Sequence, residues 1–154
     1  FGRHGAGVSR TLLCVDFGGP GITLTGAKDG NLLLWKGSML TAVVNAHENS
    51  PVLALWSMIA DGSSMAVTGG KDGFLARWSL DSSARLSGAK LELGRGAIRA
   101  VCWQGDRIIV GTADCKIVVV PATAGPDLAG VFPVTAGHAR GALKALAVHP
   151  KNPW

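Results

Sequence analysis

His47, Thr68 and Asp72 are the residues whose types could do chemistry together: a general base, a hydroxyl nucleophile and an orienting acid. A threonine without a strained elbow and an oxyanion hole is a poor nucleophile, which argues against that reading. His138 and His149 have ten residues between them, a spacing without metal-ligand meaning. Cys14, Cys102 and Cys115 contain no Cys-x-x-Cys pair, so no metal centre is expected. Gly18-Gly19-Pro20-Gly21 is followed by no Lys-Ser/Thr and reads as a turn, not a phosphate cradle. No paired carboxylates stand at a catalytic spacing. The expectation is no enzyme, no cofactor and no small-molecule substrate.

The same residue types recur at a fixed interval. Gly26-Ala27-Lys28-Asp29-Gly30 returns as Gly69-Gly70-Lys71-Asp72-Gly73 and, more faintly, as Gly111-Thr112-Ala113-Asp114-Cys115. The aspartates are 43 and then 42 residues apart. Six residues after each stands Trp35, Trp78 or Val120, and 25 residues before the first two stand His4 and His47. A period of this length marks a repeat architecture.

The elements that must position these residues are short strands. Unit one offers 12–17, 22–26, 32–36 and 41–45; unit two offers 52–57, 65–69, 74–80 and a poorly marked strand near Leu91. Unit three offers 98–103, 107–112, 116–120 and 131–135, and a further unit starts at 143–148. These runs are rich in Val, Leu, Ile and Thr and are bounded by Gly, Pro, Asp and Asn, the strand signature. Asp29-Gly30 and Asp72-Gly73 are read as two-residue hairpin turns, because glycine supplies positive φ without strain. Leu32-Leu33-Leu34-Trp35 and Ile117–Val120 are apolar on both faces, so their sheets must be covered on both sides. Trp56 and Trp103 are expected in the core or between sheets.

Composition narrows the class. Among 154 residues, 47% are apolar and only 16% charged, which excludes a disordered chain. No apolar run approaches the ~20 residues of a spanning helix, so no membrane role is expected. The cysteines are odd in number and flanked by apolar residues, which suggests small buried hydrophobes in a reducing compartment. The net charge of +5 favours an acidic partner. Nine aromatics and scattered cations speak against nucleic acid. The chain starts at Phe1 without a signal-like segment and reads as an excerpt of something longer.

A unit of four antiparallel strands with an early His and a late Asp-x5-Trp resembles the WD-repeat blade. Gly-Arg-His at 2–4 and Gly-His at 137–138 resemble the blade opening, and Trp35-Lys36 and Trp78-Ser79 stand where Trp-Asp closes it. In that class a His, a Ser or Thr, an Asp and the Trp form a hydrogen-bonded tetrad. The resemblance implies two such tetrads here: His4, Thr25, Asp29 and Trp35, then His47, Thr68, Asp72 and Trp78. This structural role accounts for the His–Thr–Asp set better than catalysis does. The third unit has no His near residue 89 and Val120 replaces Trp, so apolar packing is expected to serve instead.

Asn45-Ala46-His47, Val52-Leu53-Ala54-Leu55 and Gly69-Gly70-Lys71-Asp72 together resemble a blade of the echinoderm microtubule-associated protein-like (EMAP-like) family. Leu93 through Val101 with Ile109-Val110-Gly111-Thr112 resembles the following blade, which in that family also lacks the His and Trp. Ala136-Gly137-His138 and Leu143 through Pro150 resemble the opening of the next. The family usually carries acidic residues and a Trp after Gly-His, where this chain has Ala139-Arg140-Gly141-Ala142.

The resemblance implies an all-β, partial WD-repeat β-propeller of about 3.5 four-stranded antiparallel blades. Its units run 1–45, 46–92, 93–136 (degenerate, without the His/Trp tetrad) and 137–154, the first strand of a further blade. The implied function is a non-enzymatic scaffold that binds tubulin, microtubules and neighbouring cytoskeletal or axonemal proteins. Its implied setting is the cytoplasm and cytoskeleton, with the cilium or flagellum as a specialised case. Arg95, Arg99, Arg140 and Lys144, which flank the first strands of units three and four, are the candidate partner contacts. The runner-up is a generic WD-repeat interaction scaffold, in intraciliary transport or a ubiquitin-ligase assembly.

Overall fold

The computed structural model describes residues 10–60, 63–80, 86–125, 130–134 and 144–147. Twelve strands form three four-stranded antiparallel sheets, each a simple meander. The first holds β1 (Leu12–Gly19), β2 (Ile22–Ala27), β3 (Asn31–Lys36) and β4 (Met39–Asn45). The second holds β5 (Val52–Ala60), β6 (Ser63–Gly70), β7 (Phe74–Leu80) and β8 (Leu86–Glu92). The third holds β9 (Ile98–Gln104), β10 (Arg107–Thr112), β11 (Ile117–Pro121) and β12 (Phe132–Val134). No described residue is helical, so no helix there is long and apolar enough to cross a membrane. Residues 144–147 carry no strand, and the rest of the run 143–148 lies outside the described residues.

The hairpin turns differ from the two-residue reading. Gly30 donates its N–H to Ala27 O at 3.2 Å, and Gly73 donates to Gly70 O at 3.3 Å, so each loop has three residues. Only the glycine is left-handed, at φ 86° and 84°, whereas a two-residue primed turn of the Asp-Gly kind needs positive φ at both positions. Asp29 and Asp72 stay at negative φ and cap the turn instead, accepting from Asn31 N and Phe74 N at 3.2 and 3.1 Å. In the third sheet Cys115 takes the glycine's place at φ 66°, so it is a half-buried turn residue and not a core one.

The sheets stack in chain order with their first strands together. Asp16 on β1 accepts the Ser57 N–H of β5 at 2.6 Å, and Cys14 Sγ points at Val52 O. Burial pushes the Cys14 thiol up to about 11 and also raises that of Cys102, which keeps both protonated. Each sheet has a front face, bearing Thr25, Thr68 or Val110, and a back face one residue out of phase. The back of the first sheet (Leu24, Leu32, Leu34) packs on the front of the second (Ala66, Ala76, Trp78). The back of the second (Ala54, Val67, Leu75) packs on the front of the third (Val101, Val110, Val120). The middle sheet is therefore covered on both sides, whereas the sheets of Leu32–Trp35 and Ile117–Val120, expected to be covered on both faces, each pack on one neighbouring sheet among the described residues. Trp103 is buried in this second layer and Trp56 packs against it.

Candidate functional site

His47 leaves β4 on the connection to β5, and its N–H is held by Gly30 O of the first sheet's turn at 3.0 Å. Thr68 and Trp78 project from the front of the second sheet, where Thr68 pairs with Ala76 and Ala66 with Trp78. Asp72 sits in the turn between these strands. The four converge. Trp78 Nε1 donates to Thr68 Oγ1 at 3.0 Å, and Thr68 Oγ1 lies 2.9 Å from His47 Nε2. His47 Nδ1 lies 3.0 and 3.1 Å from the two oxygens of Asp72.

The donors fix the tautomer. Trp78 can only donate, so the Thr68 oxygen accepts from it and the Thr68 hydroxyl proton goes to His47 Nε2. His47 then carries its proton on Nδ1 and donates to Asp72. The chain Trp–Thr–His–Asp runs in one direction with every inner group satisfied. His47 and Thr68 are 0% exposed. Burial lowers the His47 pKa, with Lys90 adding to that, while the Asp72 carboxylate opposes the shift. A threonine sealed between sheets cannot meet a substrate, and its proton is already donated. The arrangement ties β6, β7 and the incoming loop together, and does nothing to a bond elsewhere.

The first sheet shows the described part of the equivalent set. Trp35 Nε1 donates to Thr25 Oγ1 at 2.9 Å, and Asp29 is ion-paired to Arg10 Nε at 3.1 Å. His4 lies outside the described residues. The β8–β9 connection has Leu93-Gly94 where the β4–β5 connection has Ala46-His47, and in the third sheet Val110 and Val120 stand where Thr and Trp would be. There Thr112, fully buried, brings its hydroxyl to the Asp114 carboxylate and to Lys116 O. Thr112 occupies the position that Gly70 holds in the second sheet. A Cβ on Gly70 would come within 2.2 Å of Asp72 Oδ1 and 2.4 Å of His47 Nδ1, so that sheet keeps a glycine where the third admits a side chain.

Two residues outside the repeat pattern also join sheets. Arg77 stands on the back of the second sheet, where the first has Leu34, and donates to the carbonyls of Ala122 and Ala124 after β11. Asp16 spans the first and second sheets through Ser57 N. The signal for each is a lone charge inside an otherwise apolar run, Arg77 in Phe74–Trp78 and Asp16 in Leu12–Phe17.

The partner-contact candidates are dispersed. Arg95 is half-buried in the β8–β9 connection, and Arg99 is exposed on β9. Neither forms an ion pair among the described residues. Arg95 shares the rim of the turns at Lys28 and Lys71, since Gly73 approaches Gly96 there. Lys144 is exposed but lies outside the sheets, and Arg140 lies outside the described residues.

No family model matches the chain. In sequence it is similar to echinoderm microtubule-associated protein-like 1 of Mus musculus, at 36% identity over 146 residues and 92% of this chain. The Rattus norvegicus protein of the same name is 37% identical over 147 residues, and the Homo sapiens one 37% identical over 142. The chain spans only about 17% of the length of the rodent relatives, and 16% of the human one. In fold it is similar to the crystal structure of the computationally designed Ika4 protein, with a TM-score of 0.69 and 23% identity. That superposition covers 94% of this chain and 83% of the designed one.

Proposed function

Because this chain is a WD-repeat β-propeller segment of the EMAP-like family, we propose that it is a non-enzymatic scaffold that binds microtubules. The observation that carries the reading is the similarity itself, which runs over 92% of the chain to proteins named for microtubule association. The sealed His47–Thr68–Asp72 set supports the non-enzymatic part, since its hydrogen bonds are spent inside the sheet stack. The function is adhesive. Stiff stacked sheets present loops and rims that hold tubulin, or a neighbouring axonemal protein, in register within the cytoplasmic cytoskeleton. A net charge of +5 suits an acidic tubulin surface, and Arg95 and Arg99, like Lys28 and Lys71, form no ion pair among the described residues.

Co-sedimentation with intact and tail-cleaved microtubules tests this. Binding is expected to weaken as salt rises, because exposed charges are screened beyond about 10 Å at 0.1 M. Arg95→Ala with Arg99→Ala is expected to weaken it severalfold at low salt and to flatten the salt dependence. Unchanged binding at both salt levels removes these two arginines. No binding to either form of microtubule removes the proposal.

A further inference from the structure

The repeated turn gives its two charges opposite jobs. In the first two sheets it reads Lys-Asp-Gly, and the backbone N–H of the lysine is held by Thr11 O or Pro51 O at 2.8 and 2.9 Å. Both oxygens of each aspartate are engaged within the fold. Asp29 accepts from Asn31 N on Oδ1 and from Arg10 Nε on Oδ2. Asp72 accepts from Phe74 N on Oδ1 and has the His47 Nδ1 within reach of both oxygens. In the third sheet Asp114 accepts the Thr112 hydroxyl. Lys28 and Lys71 are exposed, as is Lys116 just before β11, and none of the three forms an ion pair among the described residues. The lysines and aspartates cancel formally, yet only the lysines are free to meet a partner. On the same rim Glu48 is paired with Lys90 at 3.1 Å. Arg95, beside the turn of the second sheet, and Arg99 add free cations, against Glu92 and the partly engaged Asp114. The opposite rim lacks this pattern: its described charges are Lys36 and the pair of Arg107 with Asp106 at 3.7 Å.

We infer that this rim binds an extended acidic peptide laid across the sheets, with Lys28 and Lys71 as its two equivalent anchors and Arg95 and Lys116 continuing the track. Packed sheets lie about 10 Å apart, and an extended chain rises about 3.3 Å per residue. Equivalent lysines on adjacent sheets therefore meet about every third residue of such a peptide. Arg95 adds a planar fork that can take a carboxylate with two hydrogen bonds. The turn backbone is fixed by its own hydrogen bonds, so the spacing of the anchors is set before the peptide arrives. The choice of a protein partner over another polyanion rests on the microtubule reading; the division of charge in the turns does not.

Fluorescence anisotropy of a labelled peptide of about ten glutamates, titrated with the full chain at low salt, tests this. The glutamate peptide is expected to bind and a glutamine peptide of the same length is not. Lys28→Glu with Lys71→Glu should weaken binding at least about tenfold, since two contacts are lost and two repulsions gained. Lys36→Glu with Arg107→Glu makes the same change of net charge on the opposite rim and should alter binding less than about twofold. Lys28→Gln with Lys71→Gln, which adds no charge beside Asp29 and Asp72, should show the same direction of loss even if the reversal disturbs the turns. Equal losses from the two rims overturn the inference, because net charge alone would then explain binding. A thymidine oligonucleotide of equal charge that binds more tightly than the peptide overturns the choice of a peptide. Glutamate binding without microtubule binding keeps the rim site and removes the microtubule reading. Microtubule binding that survives the Lys28 and Lys71 reversal, with no glutamate binding, removes the rim site and keeps that reading.

Discussion

The second and third sheets solve one problem with different chemistry. Both must hold two central strands and the loop that arrives from the preceding sheet. The second does so with a one-directional chain from Trp78 through Thr68 and His47 to Asp72, all but its end buried. The third replaces the inner members with Val110 and Val120 and satisfies Asp114 locally through Thr112. A polar network carries direction and fixes one arrangement, but any missing member leaves buried groups unpaired. An aliphatic layer tolerates change at each position more evenly. The two sheets share a backbone plan and differ in where they are fragile.

The sharpest way to break the comparison is to install alanine at one equivalent position in each sheet. Gly70→Ala places a methyl against the His47 ring, which is packed on all sides and cannot move aside. Asp72 could swing away only by leaving both His47 and Phe74 N. The expected cost is about 3 kcal/mol, the combined effect of overpacking and a broken buried network. Thr112→Ala removes one hydroxyl from a site with room for a smaller residue, at an expected cost of about 1 kcal/mol. Urea unfolding of both variants measures the difference, and equal losses would show that the two sheets are not distinct in this way.

A smaller effect comes from exchanging the central residues. Thr68→Val leaves Trp78 Nε1 without an acceptor and His47 Nε2 without a donor, for an expected loss of about 2 kcal/mol. Val110→Thr puts a hydroxyl into the aliphatic layer, where no His or Trp receives it, for a loss of about 1 kcal/mol. Both substitutions nearly conserve shape, so the measured losses report polarity. A stabilised Val110→Thr protein would mean that the third sheet holds a partner for the hydroxyl after all.

How much of this was legible in the sequence follows from what each residue does. The sheet plan was readable because Val, Leu and Ile runs alternate with turn residues at a repeating interval. β8 was nearly invisible: of Leu86-Ser87-Gly88-Ala89-Lys90-Leu91-Glu92 only Leu91 is buried, so an outer strand had no apolar pattern to show. The three-residue turns were hidden because Asp-Gly suits both loop lengths, and only the register of Gly26 with Leu32 decides between them. Asp16 and Arg77 act across sheets, and no local pattern encodes which carbonyl or N–H a neighbouring sheet will present. The direction of the His47 chain needed the distances, since composition cannot say which nitrogen carries the proton.

The mildest test of the comparison is pH. Burial holds the folded His47 pKa below its ordinary value of 6.5, so the folded protein prefers the neutral ring. As pH falls below about 6.5 the unfolded chain takes up a proton that the folded one refuses, and stability declines. The contribution is complete above that pH and is lost as pH drops through the lowered folded value. The structural reason is specific: a proton on Nε2 would turn toward Thr68 Oγ1 and displace the hydroxyl proton now donated there. At the corresponding place on the connection into the third sheet stands Gly94, which cannot titrate. Hydrogen exchange between pH 7.5 and 5 should therefore lose protection in β5–β7 before β9–β11. His47→Gln, which cannot titrate, should remove most of that difference although it lowers stability at every pH. If the variant keeps the same acid sensitivity in β5–β7, another group is responsible, and the two sheets do not differ in their response to acid through His47.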